Sequence, residues 1–253
     1  MKKTLEHNTI HHMDALKGMA MLPDKSIDMI LCDLPYGTTK NKWDTIIPFA
    51  SLWAEYERII KDNGAIVLTA QQPFTSRLVA SNFKLFRYEW IWEKTSPTGH
   101  LNANRMPMKV HENILVFYKK LPTYHPQKTT GHPRKVSQAK HKINSVKSTN
   151  YNPHGLTSYD STERYPRSVL TFPTDKQKEA IHPTQKPVAL FEYLIRTYTK
   201  KGELVLDNCM GSGTTAIACE KTERQWIGFE LDETYVSLAN ERLNKYQQQK
   251  DKQ

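Results

Sequence analysis

The stretch Asp33-Leu34-Pro35-Tyr36 combines a carboxylate, a proline-stiffened backbone and an aromatic ring that a turn would expose. It follows the apolar run 27–32, which predicts a short buried strand, and leads into the polar, turn-prone stretch 37–41. Ligands of open α/β sheets bind at the carboxyl ends of strands. There, a carboxylate and a backbone carbonyl can accept the N–H groups of a planar amine while the ring stacks on its face. A strand that ends in a Pro-Tyr turn would explain the same residues.

A second motif, late in the chain, is typical of a nucleotide-cofactor site. Residues 203–207 predict a strand, a turn with Gly211 and Gly213 follows, and a helical pattern begins at Thr214. Glycine lets the backbone approach a ligand, and the first turn of a helix offers free N–H groups. The next predicted strand ends in Glu230, about 20 residues on, where an acid can bind ribose hydroxyls. The turn alone also fits a nicotinamide enzyme, or a glycine turn that serves only packing.

The segment His182-Pro183-Thr184-Gln185-Lys186-Pro187 is a third motif. Taken by itself it predicts the start of a helix, because Thr184 can cap a helix and Pro187 suits its first turn. An apolar stripe at helical spacing follows it. Nothing in this local pattern requires a ligand.

The three motifs together resemble those of DNA amino-methyltransferases. The first resembles the catalytic D-P-P-Y tetrapeptide, with Leu34 in place of the first proline. The second, 207–215, resembles the cofactor form D-P-F-x-G-S-G-T-T, with Asn208 and Cys209 in place of Pro and Phe. The third matches the H-P-T-Q-K-P segment that precedes the cofactor strand in one permuted class. Because the catalytic motif comes first and the cofactor loop last, residues 10–243 resemble the β class of these enzymes.

The resemblance implies a reaction and a methyl donor. A methyl group would pass from S-adenosyl-L-methionine to an amino nitrogen of a base flipped out of double-stranded DNA, with Asp33, Leu34, Pro35 and Tyr36 as the catalytic residues. Asp at the first tetrapeptide position usually marks N6-adenine methylation and Ser marks N4-cytosine methylation, so Asp33 favours adenine. The residues that the resemblance assigns to the cofactor are Asp33, Thr184, Lys186, Asp207, Cys209, Gly211, Gly213, Thr214 and Glu230.

The segment 119–180 is strongly basic. It holds twelve Lys or Arg residues against four Asp or Glu, and so carries most of the net charge of +10. The resemblance places target recognition here, with Lys and Arg on phosphates, although a disordered basic loop would have the same composition. Its four histidines fit no zinc spacing, so we expect no metal. The residues predicted to contact DNA, here and in the loop 93–112, are Lys94, Arg105, Arg134, Lys135, Lys140, Lys142, Arg164 and Arg167.

The order of apolar runs predicts an α/β fold with a doubly wound, mostly parallel sheet. The resemblance makes it a circularly permuted, Rossmann-like methyltransferase fold with one antiparallel strand. We divide the chain into a catalytic half, 1–118, a target-recognition insertion, 119–180, and a cofactor-binding half, 181–253. The predicted helices cover 46–60, 71–78, 187–199, 214–223 and 233–246, and Asn63-Gly64 is predicted to end the first of them. The predicted strands cover 27–32, 65–70, 86–92, 113–118, 203–207 and 226–230.

Composition narrows the class of protein further. The three cysteines lack the spacing of a disulfide framework, no apolar run reaches membrane-spanning length, and the first residues do not resemble a signal peptide. We therefore expect a cytoplasmic protein with reduced thiols, and the resemblance suggests a homodimer. Three other functions stay open: N4-cytosine or RNA methyl transfer, a non-catalytic nucleic-acid-binding module of the same fold, and a nicotinamide oxidoreductase.

Overall fold

The computed structural model of the chain describes residues 5–38, 44–138, 158–174 and 185–250. Two compact units emerge from the contacts, a smaller one at Pro126–Arg167 and a larger one formed by the chain before and after it. Three residues that the sequence assigns to a site, Lys140, Lys142 and Thr184, lie outside the described residues, so their roles stay predictions.

The described residues contain ten strands and six helices, together with a 3-10 turn at His100–Asn102. The strands are β1 (Thr9–His12), β2 (Ile27–Asp33), β3 (Ile60–Ala70), β4 (Phe86–Thr98), β5 (Lys109–Phe117), β6 (Lys135–Ser137), β7 (Tyr159–Ser161), β8 (Val169–Phe172), β9 (Leu204–Asp207) and β10 (Gln225–Glu230). The helices are α1 (Ala15–Met21), α2 (Phe49–Ile59), α3 (Phe74–Ser81), α4 (Val188–Tyr198), α5 (Thr214–Thr222) and α6 (Glu233–Lys250).

Eight of the strands form the sheet of the larger unit, in the order β1-β10-β9-β2-β3-β5-β4-β8. All neighbours pair in parallel except β5, which runs antiparallel to both β3 and β4. The predicted doubly wound, mostly parallel sheet with an antiparallel strand is therefore confirmed. The smaller unit contains the antiparallel pair β6 and β7.

Helices cover both faces of this sheet, which explains why its central strands are almost continuously apolar. Successive residues of a strand point to opposite faces. In β2, Ile30 and Cys32 belong to one buried cluster, with α1, α2 and α3, whereas Met29 and Leu31 belong to a second, with α4, α5 and α6. The strand β2 thus contributes to two cores at once.

The strand order reverses between β2 and β9. From β2 the chain crosses one face of the sheet through α2, and from β9 it crosses the other through α5. The two strands pair only at Met29–Val205 and Ile30–Leu206, so they are unpaired toward their carboxyl ends. Such a switch point opens a crevice in which ligands of doubly wound folds bind.

Two of the predicted boundaries are wrong around β3. The first predicted helix begins at Phe49 rather than at residue 46, and Asn63-Gly64 does not end it but lies inside β3. The pairing of β2 with β3 shifts register at this point. A Cβ at Gly64 would lie 2.7 Å from Cδ1 of Ile60 and 2.8 Å from the Asp28 carbonyl oxygen. This glycine therefore serves a close approach at an irregular strand pair, not a helix end.

The predicted loop 93–112 is also mostly wrong. β4 continues to Thr98 and β5 begins at Lys109, because their pairing extends through Glu93–His111 and Thr98–Lys109. Only 99–108 remain as a connection. Polar side chains in the outer part of both strands hid this extension, since the strand prediction relied on apolar residues. The elements β1, α1, β6, β7 and β8 were not predicted either.

The described ranges contain no group of three or more His, Cys, Asp or Glu side chains arranged to hold a metal ion. No helix among them has the length and apolar character that crossing a membrane requires.

Candidate active site

Asp33, the last residue of β2, is held by three donors. The Tyr36 hydroxyl donates to its Oδ1 at 2.7 Å, the Thr69 hydroxyl donates to the same oxygen, and Nζ of Lys186 lies 2.5 Å from its Oδ2. A carboxylate has about four acceptor positions. The three contacts therefore orient Asp33 and leave one position for a further donor.

Tyr36 is half-buried, not exposed as the turn suggested. Its ring stacks on Phe74, with centroids 5.1 Å apart and planes inclined by 30°. Nζ of Lys186 lies 5.6 Å from the ring centroid. These contacts, together with the hydroxyl bond to Asp33, hold the ring in one orientation at the end of the strand.

Lys186 lies between two carboxylates. It is 6% exposed, and its Nζ lies 2.5 Å from Oδ2 of Asp33 and 3.4 Å from Oε2 of Glu112. Burial alone would lower the pKa of this ammonium, but the charges of Asp33 and Glu112 outweigh it and the pKa is raised. Lys186 is therefore a buried cation that fixes two acids.

Glu112 was not among the residues that the sequence pointed to. It begins a buried stretch of β5, and an acid two positions before four consecutive apolar residues was the available signal. Its Oε1 pairs with Nζ of Lys94 at 2.6 Å, whereas its buried Oε2 has no hydrogen-bond partner among the described residues. That oxygen lies 3.4 Å from the Lys186 ammonium as an ion pair without a hydrogen bond.

Lys94 does not fit its predicted role on DNA phosphates. Its side chain is only 10% exposed, its ammonium pairs with Glu112, and Nζ lies 5.1 Å from the centroid of a Trp92 ring. Residue 94 lies in β4 rather than in a surface loop, and so its charge is satisfied inside the protein.

The glycine turn after β9 is tied to the end of β10. Gly211, at φ +52°, donates its N–H to Oε2 of Glu230 at 2.8 Å, and Asp232 donates its N–H to Oε1 at 2.9 Å. Both oxygens therefore accept from the backbone, and the turn is held against the acid that the sequence assigned to a ribose.

Asp207, at the end of β9, shapes the same turn. Its Oδ1 accepts from the Cys209 N–H at 3.0 Å and its Oδ2 from the Thr215 hydroxyl at 2.5 Å. Burial raises its pKa to about 6, although the hydrogen bonds from Thr215 and Cys209 act in the opposite direction. The carboxyl group thus titrates near neutral pH.

This pKa predicts how stability depends on pH. Because the pKa of folded Asp207 lies above that of an unfolded aspartate, its stabilising contribution is complete at low pH and is lost as pH rises through about 6. Between pH 7 and pH 5 we expect the unfolding free energy of the wild type to gain about 1.4 kcal/mol relative to Asp207→Asn. Urea unfolding of both proteins at pH 5, 6 and 7 measures this difference, and parallel pH profiles would contradict it.

Gly213 and Thr214 contact other parts of the protein. At Gly213, φ is +76° and a Cβ would lie 3.2 Å from Cβ of Ala239, so the missing side chain lets α6 pack against the turn. The role of Gly213 at the cofactor stays a prediction. Thr214 Oγ1 donates to the Lys186 carbonyl at 3.3 Å and accepts from Arg242 at 3.1 Å. Arg242, which the sequence analysis missed, shares a buried face of α6 with Ala239 and Leu243.

A cavity of about 520 Å³ lies at the switch point between β2 and β9. This volume is in the range of small-molecule and cofactor sites. The described residues predicted for catalysis or cofactor binding that line it are Asp33, Leu34, Pro35, Tyr36, Lys186, Asp207, Cys209, Gly211, Thr214 and Glu230. The fold therefore brings both motifs to one chamber.

Residues 27–241 match the sequence profile of the N6/N4 methyltransferase family, which is described as DNA methylase. The chain belongs to this family. It is a DNA methylase, and that activity removes the nicotinamide oxidoreductase that the glycine turn alone had left open.

Named proteins that resemble this methylase in sequence or in fold include both base types. The DNA adenine methyltransferase YhdJ of Escherichia coli (strain K12) is 27% identical over 255 residues, which cover 94% of this chain and 83% of the relative. The solved M1.HpyAVI–SAM complex is 26% identical, has a TM-score of 0.63 and covers 93% of this chain and 98% of its own. The cytosine-N4-specific PvuII DNA methyltransferase shares the fold, at 17% identity, a TM-score of 0.66 and coverage of 94% and 86%.

The methyl donor of the methylase is S-adenosyl-L-methionine, and the cavity suits this molecule. It offers carboxylates at Asp33, Asp207 and Glu230 and a buried ammonium at Lys186, next to a mostly apolar wall with Phe191 and Met210. A nucleoside with hydroxyl groups, joined to an amino acid with both charges, requires this mixture of donors, acceptors and apolar surface.

The other predicted DNA-binding residues of the methylase are spread over both units. Arg105, Lys135 and Arg167 are exposed. Within the smaller unit, Arg134 forms a two-bond pair with Asp160, and Arg164 donates to three backbone carbonyls of that unit. Arg134 and Arg164 therefore also have structural partners.

Proposed function

We propose that this methylase transfers a methyl group to the N6 amino group of an adenine that is flipped out of double-stranded DNA. The observation that carries the proposal is Asp33. It ends β2 with one acceptor position left, on the wall of the same cavity as the turn that Glu230 holds.

The amino group would be held by acceptors of the tetrapeptide. The Asp33 carboxylate and the Leu34 carbonyl would accept its N–H groups, which turns the nitrogen lone pair out of conjugation with the ring. S-adenosyl-L-methionine supplies an electrophilic methyl group on a sulfonium. The chain thus acts by orientation and electrostatics. No thiol is needed, and burial raises the pKa of Cys32 and of Cys219, which keeps both protonated.

Tyr36 would receive the flipped base. Extrusion of a base from the duplex costs a few kcal/mol in lost stacking and pairing. Stacking on an aromatic ring returns about 1–3 kcal/mol per base in single-strand binders. A ring already oriented by Phe74 and by Asp33 loses little further freedom when the base arrives.

Lys186 and Glu112 would adjust Asp33 to its substrate. As an amine approaches Asp33, the ammonium of Lys186 competes with it for the carboxylate. Oε2 of Glu112 lies 3.4 Å from that ammonium and has no hydrogen-bond partner in the described ranges. It gives Lys186 a second acceptor, so that Asp33 can accept from the base without leaving a buried cation unpaired.

Two observations favour adenine over cytosine as the target base. Asp33 occupies the position where, by resemblance, an acid marks N6-adenine enzymes, and YhdJ is an adenine methyltransferase by name. The PvuII enzyme argues for the fold alone because its identity is low. N4-cytosine methylation would use nearly the same contacts, and so it is the second candidate.

Glu230 would bind the ribose of the donor. Glu230→Gln replaces one acceptor oxygen by a donor, which cannot accept from Gly211, Asp232 or a hydroxyl. Loss of one charge-assisted hydrogen bond, about 1.5–3 kcal/mol, predicts a Kd for S-adenosyl-L-methionine raised about ten- to a hundredfold. Titration calorimetry measures it, with the exposed Glu233→Gln as the matched control. An unchanged Kd in Glu230→Gln would show that Glu230 holds the turn but does not bind the donor.

The proposed function is tested with labelled S-adenosyl-L-methionine and unmodified genomic DNA. Nucleoside analysis of the product should place the label in N6-methyladenine, and sequencing of the same DNA should give the recognised site. Label in N4-methylcytosine would replace adenine by cytosine. If neither nucleoside is labelled although the donor binds, the proposed function is wrong.

A further inference from the structure

The connection between β4 and β5 exposes an unusual amount of apolar surface. Residues 99–108, the hairpin tip, include Leu101, which is 88% exposed, and Met106, which is 52% exposed. Met108 and Val110, which follow, are 37% and 43% exposed. Single exposed apolar residues are common, but four within ten residues concentrate apolar surface on one hairpin, and such concentrations usually mark a binding surface.

The hairpin tip projects from the edge that carries the catalytic tetrapeptide. Asp33 pairs with Thr69, Thr69 with Ile114, and Ile114 with Trp90, so these residues lie level across the sheet. From Ile114 back to Lys109, β5 extends five residues past this level, which at about 3.4 Å per residue is about 17 Å. The same edge carries the cavity, and Nζ of Lys109 donates to Gln71 of the cavity wall at 3.5 Å.

The tip is an ordered turn and not a loose loop. It opens at Gly99, whose φ of +90° suits glycine. Asn102 N–H then donates to the Gly99 carbonyl at 3.0 Å, and Arg105 N–H to the Asn102 carbonyl at 2.9 Å. These bonds fix the backbone on both sides of Leu101. The side chain is thus presented to solvent by a formed turn.

The surroundings of Leu101 suit a polyanion. From Pro97 to His111 the sequence contains no Asp or Glu but does contain Arg105, Lys109 and two histidines. Asn102 and Asn104 add amide groups. Cations and amides around an apolar tip are the composition of DNA-bending proteins that insert a side chain between base steps, with phosphates held on both sides.

We propose that Leu101 is a wedge that enters the duplex beside the target base pair. The side chain would unstack that step and occupy space that the flipped base leaves, while Arg105 and Lys109 hold the flanking phosphates. The inference rests on the proposed function and adds to it the group that drives the base out. Tyr36 then receives the base, and Leu101 opposes its return.

The test compares Leu101→Ala with wild type on two duplexes that carry the site found by genomic sequencing. One duplex is fully paired, and in the other the target base faces an abasic position, so that no pair has to be broken. Phe83→Ala is the matched control, because Phe83 is 73% exposed and lies just before β4, at the end opposite the hairpin tip. On the paired duplex we expect kcat/KM for Leu101→Ala to fall about ten- to a hundredfold. On the abasic duplex it should stay within about twofold of wild type.

Each contrary result has a different meaning. If Leu101→Ala equals wild type on the paired duplex, or loses the same factor on both duplexes, Leu101 is not a wedge. Equal loss on both, with a dimeric wild type and a monomeric variant in sedimentation, would assign the tip to contact with a second copy of the chain. A wild type that methylates neither duplex would overturn the proposed function itself, and this inference with it.

Discussion

Asp33→Asn should lower kcat for methyl transfer about a thousandfold or more, while DNA affinity and its dependence on salt stay unchanged. Asparagine keeps the size of the side chain, and its oxygen can still accept from Tyr36 and Thr69. Its amide nitrogen, however, is a donor at the position where Oδ2 accepted. The amino group of the base would then meet a donor, and its lone pair would not be directed to the methyl group.

Single-turnover methylation with excess enzyme measures the chemical step, and fluorescence anisotropy at several salt concentrations measures DNA binding. Asp24→Asn is the matched control, because Asp24 is 76% exposed and pairs with Arg58 away from the cavity. It should turn over like wild type. Substantial turnover by Asp33→Asn would remove Asp33 from the catalytic step.

Lys186→Met should lower the unfolding free energy by about 3–5 kcal/mol, the usual effect of removing one partner of a buried ion pair. Asp33 and Glu112 would then face each other's charge without the cation between them. Adding Glu112→Gln removes one of the two charges. The double variant should therefore lose about 1–3 kcal/mol less than the sum of the two single variants.

Urea unfolding at pH 7 of the four proteins of this cycle measures the coupling. The pair Lys201–Glu223 provides the control, because its side chains are 65% and 64% exposed. There, Lys201→Met should change stability by less than about 1 kcal/mol. Additive losses at Lys186 and Glu112 would show that the two side chains do not act as one network.

The sheet and the cavity were predictable because they depend on local patterns. Apolar runs identified the central strands, and the carboxyl ends of parallel strands meet at one edge, which placed Asp33 and Glu230 on one chamber. The network around Glu112 was not predictable. Lys94, Glu112 and Lys186 lie far apart in the chain, and a charged residue gives no sign of its burial until the strands are paired.

The hairpin tip illustrates a second limit of sequence reasoning. Apolar runs predict buried segments, whereas Leu101 and Met106 are apolar and exposed. The same residue types therefore indicate opposite environments, and only the pairing of Thr98 with Lys109 shows that this segment leaves the core. Gly213 is a similar case, since its packing against α6 becomes visible only when that helix is placed beside the turn.

The ends of the smaller unit, Pro126–Arg167, have an evolutionary consequence. The residue before it, His125, donates its N–H to the Thr197 carbonyl at 2.8 Å, and the Ser168 carbonyl after it accepts from Ile91 N–H at 2.8 Å. Both junctions are thus anchored by backbone groups of the larger unit, whatever the inserted side chains are. If this unit recognises the target, as the resemblance predicts for the segment 119–180, its exchange between relatives would change the preferred DNA site in one step and leave the methylation chemistry intact.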